Sequence, residues 1–165
     1  MYTRTADFLR DYREEAAAAQ QNWDALTDES LAVKPGDVYW TLGEHLWHIA
    51  SLWQYVFCND LKHWPADELV EEAPTTAQGL ADFYRQQAEK ACAWIEANWS
   101  DADLAGELEL WGMKMTRGQL LGGIIRHEAH HRGQIIVLMR LAGLAVHGIY
   151  GPGKEEVDAL EQAQG

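Results

Sequence analysis

The sequence predicts an all-α fold: a four-helix bundle with a short additional helix near its C-terminal end. Three observations carry that expectation. Apolar residues recur at steps of three and four along four long stretches. Thr-x-x-Glu/Gln signatures, in which a side-chain oxygen and a carboxylate or amide satisfy each other's orphan backbone donors, stand at the start of three of them. Pro35-Gly36-Asp37 and Gly151-Pro152-Gly153 mark loops. At 165 residues the chain suits one domain, residues 1–165, since a single core typically runs to ~100–200 residues.

The first stretch covers roughly residues 3–26, where Phe8, Tyr12, Ala16, Ala19, Trp23 and Leu26 fall at helical steps. Thr27-Asp28-Glu29 then turns the chain polar. A second helix opens at Thr41, with Thr41-Leu42-Gly43-Glu44 as its capping box and Leu42, Leu46, Ile49, Trp53 and Val56 as its apolar face. The third begins near Thr75, where Thr75-Thr76-Ala77-Gln78 reads as another box, and runs through Leu80, Phe83, Tyr84, Ala91, Trp94 and Ile95 to about Asn98. Thr116-Arg117-Gly118-Gln119 announces the fourth, which carries Leu120, Leu121, Ile124, Ile125, Ile135, Leu138 and Leu141 and ends at Gly143, a residue suited to the left-handed cap. A short polar helix follows from Glu155 to about Ala163. Between the third and fourth helices, Glu107 to Leu110 and Trp111 to Met115 alternate polar and apolar, which fits a short hairpin or an extended connector.

Composition narrows the function. Lys and Arg total 13 against 26 acids, a net charge of −13, and no basic cluster stands out, which disfavours a nucleic-acid partner. No apolar run approaches the ~18 residues needed to cross a bilayer, and no basic n-region precedes an apolar h-region at the start. Two cysteines, Cys58 and Cys92, each in a helix-like segment, read as small core residues rather than a disulfide or a nucleophile. The expected setting is the cytoplasm. Eight Trp, six Tyr and three Phe supply a sizeable core or a lined pocket for a small-molecule substrate.

Five of the seven histidines lie on two predicted helices: His45 and His48 on the second, and His127, His130 and His131 on the fourth. Residues one turn apart share a helix face, with Cβ atoms ~5–6 Å apart, so two imidazoles can reach one metal at ~2.0–2.1 Å. His127 with His131 is favoured over His127 with His130, because His131 shares a face with Ile124 and Leu138 while His130 aligns with Arg126, Gly133 and Arg140. Spacing alone does not choose between His45 and His48 as a third ligand. Three histidines with an open fourth position are typical of a catalytic zinc site.

The segment His127-x₃-His131-Arg132-Gly133-Gln134, followed by Leu138, Arg140, Leu141 and Gly143, resembles the last bundle helix of the DinB-like (DinB/YfiT) superfamily, and Thr41 to Ile49 resembles its second helix. The resemblance covers roughly residues 5–150. It implies a left-handed up-up-down-down bundle, a homodimer, and one divalent ion per chain held by His48, His127 and His131, so that it selects His48 over His45. Zinc leads among the compatible ions, with nickel, iron and manganese also suited to such ligands. It also implies chemistry with a low-molecular-weight thiol such as bacillithiol or mycothiol.

Three functions follow as expectations. In a metal-dependent thiol S-transferase, a cation held by three neutral imidazoles deprotonates an entering thiol, which attacks an electrophile. In a metal-dependent hydrolase the same ion lowers the pKa of bound water to near ~7. A non-catalytic stress-related metal or small-molecule binder is the third. Glu44, Glu128 and Gln134 are candidates to hydrogen-bond a ligand's free nitrogen or to handle a proton, although capping already explains Glu44. Trp47 and Trp53, which flank His48, are candidates to line a pocket but more often such residues serve a core or a dimer interface. Gly133 reads as room for close helix packing.

Overall fold

A computed structural model of the chain describes residues 1–60, 69–110 and 112–164. It is mostly helical. Helix α1 spans Thr5–Trp23, α2 Leu42–Ala50, and α3 Leu52–Gln54 continues as a wider π-helical turn over Tyr55–Asp60. Helix α4 spans Ala77–Asn98, α5 Arg117–Leu141 and α6 Lys154–Gln164. Short 3₁₀ turns lie at Asp28–Ala32 and Asp101–Ala105.

The capping boxes at Thr41 and Thr116 form as the sequence predicts. The Thr41 amide donates to Glu44 Oε2 at 2.7 Å while Thr41 Oγ1 accepts from the Glu44 amide at 3.2 Å. Thr116 and Gln119 repeat the pattern at 2.8 and 3.2 Å. At the third helix the expected box is displaced: Thr76, not Thr75, is the cap, accepting from the Gly79 amide at 3.1 Å. Its third position is then a glycine with nothing to return, and Gln78 instead donates to Asp82 at 3.0 Å.

Two other boundaries differ from the periodicity. Helix α1 stops at Trp23, because Thr27 and Ser30 cap each other and start a separate 3₁₀ turn, leaving Leu26 buried in the connection. The second helix is interrupted at Ser51, whose hydroxyl donates to the Trp47 carbonyl at 2.7 Å and so competes with the helical ladder. The alternating segment is a hairpin: β1 Glu107–Leu110 pairs antiparallel with β2 Met113–Thr116, in register Glu107 to Thr116 and Leu110 to Met113. Gly112, at φ 72°, supplies the left-handed residue between them, while the expected place of Trp111 in this alternation lies outside the described residues.

The principal helix contacts close a ring in the order α1–α4–α2–α5, so α1 and α2 sit diagonally, as do α4 and α5. Two apolar clusters fill its interior. One holds Phe8, Tyr12, Trp53, Phe57 and Leu121; the other holds Trp23, Leu42, Leu46, Tyr84 and Leu138, and Ala16 packs against both. Trp53 belongs to the first cluster at 1% exposure, its indole donating to Tyr12 Oη at 2.5 Å, and Trp47 packs on Phe83 with ring centroids 5.1 Å apart. Trp53 is thus a core residue and Trp47 is half-buried against the second cluster, whereas the sequence offered both as candidates to line a pocket. Gly133 is corrected likewise, since a Cβ there would meet open space and no close packing depends on it. Cys58 is half-buried and Cys92 buried. Among the described residues, no helix is long and apolar enough to cross a membrane.

Candidate metal centre

The diagonal ring sets α2 beside α5, and this contact brings three imidazoles together. His48 lies two turns after the Thr41 cap, and His127 and His131 lie one turn apart on α5. One ring nitrogen from each falls within 4.8 Å of the others. Nε2 of His48 stands 3.2 Å from Nε2 of His127, less than twice a metal–nitrogen bond of ~2.0–2.1 Å. Ring centroids of His131 lie 4.6 Å from those of both His48 and His127. All three are half-buried, and Nδ1 of His127 and Nδ1 of His131 are buried without a hydrogen-bond partner.

Such a donor set fits a divalent cation. Burial pushes each imidazole toward its neutral form, the form that ligates; His127 is driven down to about 4 by burial and by the neighbouring His131 and His48. Burial lowers His48 also, with His45 adding to it, and lowers His131 with His48 adding.

The other two histidines of these helices fall outside the cluster. His45 is half-buried behind it, with its ring centroid 5.8 Å from that of His131, and His130 is exposed. Trp40, which the sequence reading missed, lies on the loop before α2 and covers the outer side of the centre. Its ring is 5.1 Å from His48 and stacks on His131 at 6.3 Å, tilted by only 21°. A loop tryptophan one residue before a helix cap carries no periodic signal.

The three polar candidates separate by place. Glu44 is exposed and occupied in the Thr41 capping box. Gln134 is exposed beside His131 and favours that ring's charged form, against the stronger effect of burial. Glu128 is 3% exposed and turned into the bundle, where Tyr12 Oη donates to its Oε1 at 2.8 Å and Tyr84 Oη to its Oε2 at 2.9 Å. Burial raises its carboxyl to about 7, against the lowering effect of the two tyrosine hydrogen bonds. One turn on, Arg132 is also 3% exposed and donates to Glu15 Oε2 at 2.5 Å. Glu128 and Arg132 therefore fasten α5 to α1 and α4 while His127 and His131, one position earlier on each turn, meet α2.

A cleft of ≈ 440 Å³ opens beside His127, between α5 and the hairpin. Its floor is apolar, from Leu52, Leu110, Leu120 and Ile124, each at most 6% exposed. Met113 and Met115 form one wall, and Lys114 and Arg126 stand at the rim. No carboxylate lines it among the described residues.

A model of the DinB family matches residues 1–164. The chain is 38% identical over 156 residues to the Bacillus subtilis (strain 168) protein named uncharacterized protein YrdA, covering 94% of this chain and 93% of that one. Among solved structures, it is similar to a DinB-like protein from Bacillus cereus ATCC 10987, with a TM-score of 0.83 and 34% identity over 91% of this chain and 100% of the other. It is also similar to YfiT from Bacillus subtilis, described as a probable metal-dependent hydrolase with an unusual four-helix bundle topology. That match has a TM-score of 0.64 and 19% identity over 86% of this chain and 89% of the other.

Proposed function

The chain belongs to the DinB family, and on that premise we propose that it is a metal-dependent S-transferase joining a low-molecular-weight thiol to a small electrophile. The observation that carries this reading is the position of His127, which belongs both to the three-imidazole cluster and to the lining of an apolar cleft with no described carboxylate. His48, His127 and His131 would hold a divalent cation, zinc in the first instance, whose positive charge would favour a thiolate over a thiol. His48, His127 and His131 hold their ring nitrogens neutral and convergent. Leu120, Ile124 and the two cleft methionines exclude water from the electrophile, and Trp40 shields the outer side of the rings. The thiol's proton would pass to water as the thiolate forms, and the electrophile's leaving group would depart as an anion when the carbon–sulfur bond forms, so transfer of this kind requires no separate general base, which suits the lining. The proposal includes an up-up-down-down helix order, a homodimer and a cytoplasmic setting.

Hydrolysis is the second reading, and the description of YfiT favours it. Esters and amides require a proton to reach the leaving group; His127 would be occupied as a ligand and the described lining of the cleft offers no carboxylate to deliver it, which places this reading second.

Untagged protein distinguishes the readings. Elemental analysis should find about one divalent ion per chain, falling below a tenth in His48→Ala with the helical circular dichroism kept. Metal-loaded protein should conjugate bacillithiol to monochlorobimane, and His48→Ala should not. Thiol-independent cleavage of p-nitrophenyl butyrate establishes the hydrolase instead, and neither activity leaves a binder.

A further inference from the structure

We propose that the cleft beside His127 selects ligands with an apolar body and an anionic group at one end, and that Lys114 and Arg126 recognise the anion. The proposal rests on the three-histidine centre being a reaction site, because it names the substrate class of that centre.

The chain has 26 acidic and 13 basic side chains, so unpaired cations are not expected. Arg4, Arg10, Arg13, Lys34, Arg85, Arg132, Arg140 and Lys154 all stand within 4.0 Å of a carboxylate. Arg117 donates to the Asp103 carbonyl and lies over the Trp99 ring at 5.3 Å. The side chains of Lys114 and Arg126 have no ion pair or hydrogen bond among the described residues, and both residues line the same cleft. Lys114 faces Glu109 across the hairpin, yet the two do not pair within 4.0 Å. Arg126 sits one residue before His127 on α5, and Lys114 lies between Met113 and Met115 on β2. Two cations from different elements thus flank one apolar floor that ends at an imidazole of the centre.

Chemistry fixes the ligand class. The polarizable methionines and buried aliphatic floor favour an alkyl or aryl body. A lysine ammonium and an arginine guanidinium beside it favour a carboxylate or a phosphate, which these two side chains bind by the same charge-assisted hydrogen bonds.

The four methionines provide the readout. Met113 and Met115 line the cleft, whereas Met139 is fully buried in the other apolar cluster. Protein labelled with ¹³C-methyl methionine is titrated with 4-phenylbutyrate, 4-phenylbutyl phosphate and 4-phenylbutan-1-ol, in zinc-loaded and in chelator-treated form. The Met113 and Met115 methyl signals should move and that of Met139 should stay. At least one anion should bind about tenfold more tightly than the alcohol in both forms, and the tighter of the two names the group. The double variant Lys114→Gln/Arg126→Gln should bind acid, phosphate and alcohol alike, its unmoved Met139 signal reporting an intact core. Equal affinity of acids and alcohol in the parent protein overturns the proposal. So does an absence of shifts at Met113 and Met115, or a preference that needs zinc and survives the double variant. Failure of the thiol assay, by contrast, removes the S-transferase reading and leaves this binding result standing.

Discussion

A histidine is informative only with its company. His127 and His131 were legible as a pair because one turn of helix separates them, but the choice of His48 over His45 came from family resemblance; in the structure a ring nitrogen of His48 lies within 4.8 Å of one on each of the pair. Glu128 was legible as a neighbour of the ligands and not as what the fold makes of it, since nothing local announces that Tyr12 and Tyr84, 116 and 44 residues away, both donate to it. Its replacement tests that role. Glu128→Ala leaves two buried hydroxyls without an acceptor and should cost about 1–3 kcal/mol for each, read from urea denaturation, with Glu128→Gln costing less. Cys92 offers a pH test. Burial pushes its thiol up to about 11, so near pH 7.5 the thiolate is roughly one part in a few thousand. In a Cys58→Ser background, alkylation of Cys92 by iodoacetamide should accelerate about tenfold per pH unit until near 11; a plateau near pH 9 contradicts this. A folded-state value above the thiol's ordinary 9.0 means the native state retains the proton longer. The Cys92 contribution to stability is therefore intact below pH 9 and lost as pH rises through 11.

Element boundaries were legible where chemistry is local and hidden where it is not. Thr41 and Thr116 could be located because a cap and its reciprocal partner are three residues apart. Thr116→Ala should therefore cost about 0.5–2 kcal/mol in a denaturation experiment by freeing the first amides of α5. The break at Ser51 was hidden, because a hydroxyl bonding back one turn leaves the apolar spacing untouched. The hairpin was half visible: its alternation is in the sequence, but its pairing depends on Gly112 turning through a left-handed conformation. Another close approach concerns the start of α5. A Cβ on Gly118 would collide with the carbonyl of Tyr2, whose amide donates to the Gly118 carbonyl at 3.0 Å. Gly118→Ala should displace the N-terminal segment and cost about 1–3 kcal/mol, visible as a lower Tm.

For the whole molecule, an ion bound only by the native state must stabilise it. Zinc at a hundred times its dissociation constant should add about 2.7 kcal/mol to unfolding, and His48→Ala should abolish that increment. A homodimer, as the family resemblance implies, should sediment at twice the 18.6 kDa chain mass. Helix α5 is the member that joins these properties. Glu128 and Arg132 face Tyr12, Tyr84 and Glu15, while His127 and His131 precede them by one position each. An insertion of one residue between Thr116 and His127 imposes about 100° of rotation on one part of the helix or the other. The keyed, buried half resists turning, so the error is driven back toward Thr116 and the hairpin. Length changes in this helix should thus deform the mouth of the cleft and leave the chelating rings in place, giving descendants of this chain a region where substrate choice can drift without loss of the ion.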